Sequence, residues 1–258
     1  MIADRIAQSL EAEARSVRVA DVRLGLGYTV VLTESGFAGL AYTPREDSGR
    51  GCSVFRGRQP LAGSLAAELL PYLGSSSTLE RAVGLATANA LIRMRGVEMT
   101  CEVDVLDVLA LKLGDRVGMV GCFEPLIPLV QSQVASLTIF ERSGGWTAGV
   151  QPAERAGDLL PTCTVALITS TTLITESLDA LLAAAAGCRA VALLGPSTPL
   201  LPEAFAETPV TWLSGMLVRR PAEVLRVISE GGGTREFSPF VRKVNVRIVP
   251  KREGGRNL

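Results

Sequence analysis

Histidine is absent from all 258 residues of the chain. That removes the usual general base and the commonest metal ligand, and it excludes Ser–His and Cys–His nucleophile pairs. A charge surplus is missing too, since 26 Lys+Arg balance 26 Asp+Glu. Phosphate binding needs a net basic face, so nucleic acid is not expected as the main partner. No run of about 18 apolar residues occurs, which argues against a membrane span. The opening Met1-Ile2-Ala3-Asp4-Arg5 lacks the continuous apolar region of a secretory leader. Cys52, Cys101, Cys122, Cys163 and Cys188 are odd in number and widely spaced, with no C-x-x-C pair. Such a set predicts free thiols in a reducing cytoplasm rather than a disulfide framework.

What is present is a chain that is 47% hydrophobic, ample for a core, and long enough for one large domain or two small ones. Residues 164–199 organise it. Two apolar runs, 165–168 and 190–194, bracket a segment in which Leu178, Leu181, Leu182 and Ala185 recur at helical spacing. Gly187 follows, where a left-handed helix end favours glycine. The pattern predicts strand–helix–strand with parallel strands. Each strand ends in small polar residues, 169–172 and 195–199, and in open α/β sheets ligands bind beyond the carboxyl ends of the strands.

Before this unit, Ile2, Ile6 and Leu10 predict a short helix. Residues 17–24, 28–32 and 37–42 read as an antiparallel meander, with a change of phase at Ala20-Asp21 that signals a bulge. Residues 44–60 carry Arg45, Arg50, Arg56 and Arg58 without an apolar period; an exposed loop and a basic flap over an anion are both compatible with that. A short helix is expected at 65–70. A longer one at 77–94 opens on Ser77-x-x-Glu80, a capping-box pattern. Asn89 sits beside its inner stripe, as a backbone hydrogen-bonder or as a ligand contact. A linker near 96–104 divides the chain into a smaller α+β domain, 1–98, and an α/β domain, 99–258. In the latter, strands at 116–120 and 137–140, an irregular stretch at 142–161, a short strand at 210–213, a helix at 221–230 and a last strand through Val244, Val246 and Ile248 are predicted.

Four blocks occur in order: STLERAVGLATANAL at 77–91, DRVGMVGCFEPLIP at 115–128, ITSTTLITESLDALL at 168–182 and LGPSTPLLP at 194–202. Together they resemble the DUF364 family, described as "putative heavy-metal chelation" proteins, preceded by a DUF4213 domain. The resemblance implies an enolase-N-terminal-like domain followed by a Rossmann-like, mostly parallel sheet. It also implies metal chelation, with a suggested link to anaerobic cobalamin-type cofactor biosynthesis. Family members often carry Asn where this chain has Thr175, so that position departs from the pattern, and no catalytic residue carries over.

The chemistry at the strand ends has two sides. Cys122 is either a small packed residue or a ligand or reactive thiol, and with Glu141 it could hold a soft heavy or transition metal ion. Cys163 precedes a strand and should lie at the opposite edge. Glu141-Arg142 suits a backbone anchor or ion pair as well as a substrate clamp. Thr171 and Thr172 cap a helix or meet an anion at its N-terminus. No G-x-x-x-x-G-K-[ST] occurs, and Gly118-x-x-Gly121 lacks the full dinucleotide fingerprint. The expected site is one interdomain cleft lined by Asn89, Cys122, Glu141, Thr171, Thr172, Ser197 and Thr198, taking a small anionic or metal-bearing ligand, with Cys122 and Glu141 as metal ligands. The alternatives are a transferase or lyase acting on a small metabolite such as a pterin or tetrapyrrole precursor, and a non-catalytic binding module. A homo-oligomer is compatible with any of these.

Overall fold

A computed structural model describes residues 1–44, 55, 59–97, 100–142 and 150–249. Most of the Arg-rich 44–60 loop, the Gly144-Gly145-Trp146 segment and the tail from residue 250 lie outside these. The described chain folds around two sheets.

The first is the expected meander: β1 (Val19–Leu24), β2 (Tyr28–Thr33) and β3 (Ala38–Tyr42), antiparallel throughout. The register of β1 slips between Val19 and Asp21, where the alternation changes phase. Successive side chains of a strand face opposite ways, and both faces of this small sheet are covered. Ahead of it runs α1 (Ile2–Ala14), which buries Ile2, Ile6, Leu10 and Ala14 along one stripe. After it come α2 (Ala66–Leu69), a 3₁₀ turn (Leu70–Gly74) and α3 (Thr78–Arg95). The last of these, α3, packs so tightly on β3 that a Cβ on Gly39 would meet the backbone of Ala86 and Ala90.

The capping box at α3 closes in one direction only. Ser77 Oγ accepts from Glu80 N at 3.4 Å. Glu80, however, accepts from Ser75 Oγ at 2.5 Å, and it is Ser75 Oγ that receives Ser77 N, at 3.1 Å. A second serine two residues upstream has taken the role expected of the glutamate.

The second sheet is built from β4 (Thr100–Cys101), β5 (Arg116–Val120), β6 (Ser136–Glu141), β7 (Val150–Pro152), β8 (Val165–Thr169), β9 (Ala190–Leu194), β10 (Trp212–Val218) and β11 (Val241–Arg247). Its spatial order is β4-β11-β10-β9-β8-β5-β6-β7. From β10 to β7 every pairing is parallel, and β11 and β4 add an antiparallel edge. The chain therefore moves from β5 outward through β6 to β7, then returns to the other side of β5 and moves outward through β8, β9 and β10. That is doubly wound topology, and β5/β8 is its switch point.

Alternation along the strands feeds two cores. Val117, Met119, Val165, Leu167 and Ala192 pack under α4 (Val105–Leu109) and α5 (Ile127–Gln131). Val120, Phe140, Ala166, Ile168 and Leu193 face the other way, into a cluster continuous with Leu10 of α1, Leu91 of α3 and Leu178 of α7 (Leu178–Ala184). The helices of the smaller unit thus cover one face of the large sheet. Between β7 and β8 lies α6 (Ala156–Leu159), and α8 (Pro202–Phe205) precedes β10. Beyond β10, α9 (Pro221–Ser229) and α10 (Thr234–Phe237) send Val224, Ile228 and Phe237 back against Val30, Ala38 and Leu40 of the meander.

Three expectations need correction. Gly187 is not left-handed; α7 ends earlier, with Ala185 at φ −86°. β10 does not stop at Ser214-Gly215 but runs to Val218, because β11 pairs with it along its whole length after β9 has ended. Residues 170–173 form a 3₁₀ turn capped by Thr169, so Thr171 and Thr172 do not cap α7, which starts at Leu178.

Candidate functional site

At the switch point β5 ends in a tight turn. Gly121 has φ +91°, and a Cβ there would come within 2.9 Å of Thr169 Cγ2, so glycine serves both conformation and packing. Its N–H donates to Phe140 O at 2.8 Å, which ties the turn to β6. One residue on, Cys122 N donates to Glu141 Oε2 at 2.9 Å, while Arg142 N donates to Glu141 Oε1 at 2.8 Å. The carboxylate at the end of β6 is thereby held between its own strand and the neighbouring turn.

The end of β8 is self-contained. Thr169 Oγ1 accepts from Thr171 N at 3.4 Å and lies 3.1 Å from Thr171 Oγ1. Thr172 Oγ1 donates to Thr169 O at 2.6 Å. The loop that follows is pinned from α3. Arg81, 4% exposed, donates to Ile174 O and Ser75 O at 2.5 and 2.6 Å and pairs with Glu176 at 2.9 Å. Glu176 itself sits at φ +57°, a left-handed conformation uncommon outside glycine. On either side of it, the hydroxyls of Thr175 and Ser177 are 3.0 Å apart.

These segments enclose a cavity of about 640 Å³, within the usual size of small-molecule sites. Cys122, Glu141, Thr171 and Thr172 line it. Asn89, Ser197 and Thr198 are placed elsewhere, in a polar seam between the meander and the turn after β9. Asn89 Nδ2 donates to Leu40 O at 2.8 Å and Ser197 O at 3.2 Å. Ser197 Oγ accepts from Tyr42 N at 2.8 Å. Thr198 Oγ1 donates to Ser214 O at 3.0 Å, which leaves Ser170 as donor in their 2.7 Å contact.

The lining also includes Tyr42, Phe123, Arg142, Glu154, Thr175 and Ser177. Thr175 and Ser177 stand in the same polar run as Thr171 and were within reach of a sequence reading. Tyr42 and Glu154 carried no such signal, since one ends a meander strand and the other follows a strand of three residues.

Among the described residues, the lining carries more carboxylate than cationic charge. Burial first, then the charges of Glu124 and Glu141, push the Cys122 thiol above its ordinary pKa. It stays protonated at neutral pH, the opposite of an activated thiol. Glu141 and Glu154 face a single lining cation, Arg142, among the described residues. The four described cysteines, Cys101, Cys122, Cys163 and Cys188, are all free; Cys52 lies outside the described residues. Among the described residues no three His, Cys, Asp or Glu side chains gather as a metal-holding group. Nor is any described helix long and apolar enough to cross a membrane.

Fold and site together define a doubly wound α/β protein, capped by a small α+β unit, with a ligand-sized cleft at the carboxyl edge of its sheet. The family model DUF364, described as "Putative heavy-metal chelation", matches residues 104–247, and the chain belongs to that family. A second model of the same description, DUF4213, matches residues 7–92. An uncharacterized protein of Methanocaldococcus jannaschii is 27% identical over 260 residues, covering 96% of each chain. Two crystal structures of DUF364 proteins of unknown function share the fold. The one from Pyrococcus horikoshii has a TM-score of 0.86 at 22% identity, over 96% of this chain and all of its own. The one from Desulfitobacterium hafniense has a TM-score of 0.78 at 24% identity, over 95% and 98%.

Proposed function

We propose that the chain binds a small organic metabolite in the cleft between β5 and β8, and that any metal it handles arrives inside that ligand. The observation that carries this reading is the cavity of about 640 Å³ at the switch point, open to hydroxyls, a thiol and carboxylates from four strand ends.

The donor set does not fit a resident bare ion. Soft metals are held by several thiolates or imidazoles. Here one thiol is kept protonated, and the nearby carboxylate already accepts two backbone N–H groups. A ligand that supplies its own coordination sphere would bring the metal without asking the protein for thiolate or carboxylate donors. Two carboxylates against one cation among the described lining residues favour a cationic or hydroxyl-rich ligand over an anion. The family description supports metal handling in this indirect form.

The test uses untagged protein purified without chelator, because tag histidines would supply the very ligands this chain lacks. Denatured extracts are analysed for metals and for small molecules. The expected result is an organic molecule released in near-stoichiometric amount, with metal, where present, travelling with it. Thr175→Trp, which fills the cleft, should empty the extract. Tight binding of a bare ion to dialysed protein, lost in Cys122→Ser and Glu141→Gln, would refute the reading.

A further inference from the structure

Glu141 occupies a position with a specific chemistry. It ends β6, the strand beside β5 on the side away from the switch point, and it follows Gly121 of the first turn by twenty residues. In doubly wound sheets a carboxylate about 20 residues beyond the first turn accepts hydrogen bonds from ribose hydroxyls. Position alone would be an analogy, but the local geometry adds to it. A carboxylate has about four acceptor sites. Glu141 spends one lone pair of each oxygen on a backbone N–H, from Cys122 and from Arg142. Those bonds fix the plane of the group and leave acceptor capacity on both oxygens, at a rim where the side chain lines the cavity. Two fixed acceptors side by side match two hydroxyl donors on adjacent carbons.

The surroundings narrow the ligand further. A pyrophosphate needs glycines in the first turn, so that the backbone can approach it, and a helix N-terminus beyond. This turn has Gly121 and then Cys122-Phe123-Glu124, with no further glycine and an acidic side chain among them. The helix after it, α5, has five residues. A bound phosphate chain would meet side chains and negative charge there. An uncharged or cationic nucleoside would not, and the rings of Phe123 and Tyr42 on the cavity wall offer apolar surface for a base.

We infer that the metabolite of this cleft carries a ribonucleoside moiety whose 2′,3′-cis-diol donates to the Glu141 carboxylate, without a pyrophosphate on the first turn. The inference rests on the cleft being a ligand site, as proposed above.

Calorimetric titration of the untagged full chain with adenosine, guanosine, cytidine and uridine tests it. At least one should bind, and its 2′- and 3′-deoxy analogues should each bind about 10- to 100-fold more weakly, the worth of one hydrogen bond to a charged group. NAD should bind no more tightly than adenosine. In Glu141→Gln, deoxy and ribo forms should bind within about 3-fold of each other, since the hydrogen bonds of a neutral amide are worth less. Equal affinity of ribo and deoxy forms for the wild-type chain overturns the inference without reference to any variant. So does a failure of all four ribonucleosides to bind. If they fail while Thr175→Trp still empties the extract of its metabolite, the diol is wrong and the cleft stands. If the wild-type extract also holds no metabolite, both readings fall.

Discussion

Asp115→Asn should destabilise the protein by an amount that shrinks as pH falls. Asp115 lies at the amino ends of the parallel strands, the edge opposite the cleft. Its Oδ1 accepts from Thr164 Oγ1 at 2.9 Å and Arg189 Nε at 3.0 Å, and its Oδ2 from Lys112 N at 2.8 Å and from Arg189 Nη2. Arg189 in turn donates to Leu109 O and Ala110 O. One carboxylate thus joins the approaches to β5, β8 and β9. The Arg189 hydrogen bonds, against some desolvation, hold its pKa down to about 2, whereas an unfolded aspartate titrates near 3.9. Because the folded value is the lower one, the ionised group stabilises the fold at neutral pH, and that contribution is lost as pH falls from about 4 toward 2. A shift of nearly two units is worth about 2.5 kcal/mol. With the Arg189 side chain 34% exposed, solvent screening reduces this to about 2 kcal/mol. Urea unfolding followed by circular dichroism at pH 7, 5 and 3 measures the gap between wild type and variant. The gap should narrow by about 1 kcal/mol between pH 7 and pH 3. A gap that is the same at both pH values, or below about 0.5 kcal/mol at pH 7, would refute the reasoning.

Three further outcomes are expected. Gly39→Ala places a methyl group against the backbone of Ala86 and Ala90; overpacking of about 1–3 kcal/mol should lower the midpoint of thermal unfolding. Arg81→Met leaves the Ser75 and Ile174 carbonyls without their donor and Glu176 without its partner. It should cost about 2–4 kcal/mol in urea unfolding, with faster amide exchange over residues 171–177. Cys122 is exposed but its thiol is shifted upward, so alkylation by iodoacetamide, mapped by mass spectrometry, should be slow at pH 7 and rise steeply above pH 9. Glu124→Gln removes one of the charges that raise it and should speed alkylation at pH 7.5; a slower reaction would contradict the assigned cause.

Elements that depend on a few neighbouring residues were legible in the sequence. The 3.6-residue stripe of α1, the continuous apolar runs of β8 and β9, the Val19–Asp21 bulge and the parallel crossover between β8 and β9 all follow from local sequence pattern and connection length. The mostly parallel sheet and the edge that carries the cleft followed from those, since carboxyl ends of parallel strands share one side. Cys122, Glu141, Thr171 and Thr172 were reachable because each stands at or within a few residues of a strand's carboxyl end.

Only the tertiary structure decided the rest. Ser197 and Thr198 are as polar and as close to a strand end as the lining residues, and Asn89 is a polar side chain inside α3, yet their bonds run to Leu40, Tyr42, Ser170 and Ser214. Which polar group finds a protein partner and which is left facing a cavity depends on how the meander docks, and nothing local encodes that. The same holds for β10, whose length is set by β11 arriving from beyond two helices. It holds also for Arg81, whose partners Ile174 and Glu176 come from the far side of the switch point. Backbone periodicity is local, so sequence alone determined the elements and the edge. Satisfaction of buried polar groups is a long-range matter, so only the folded chain decided which of those residues line the cleft.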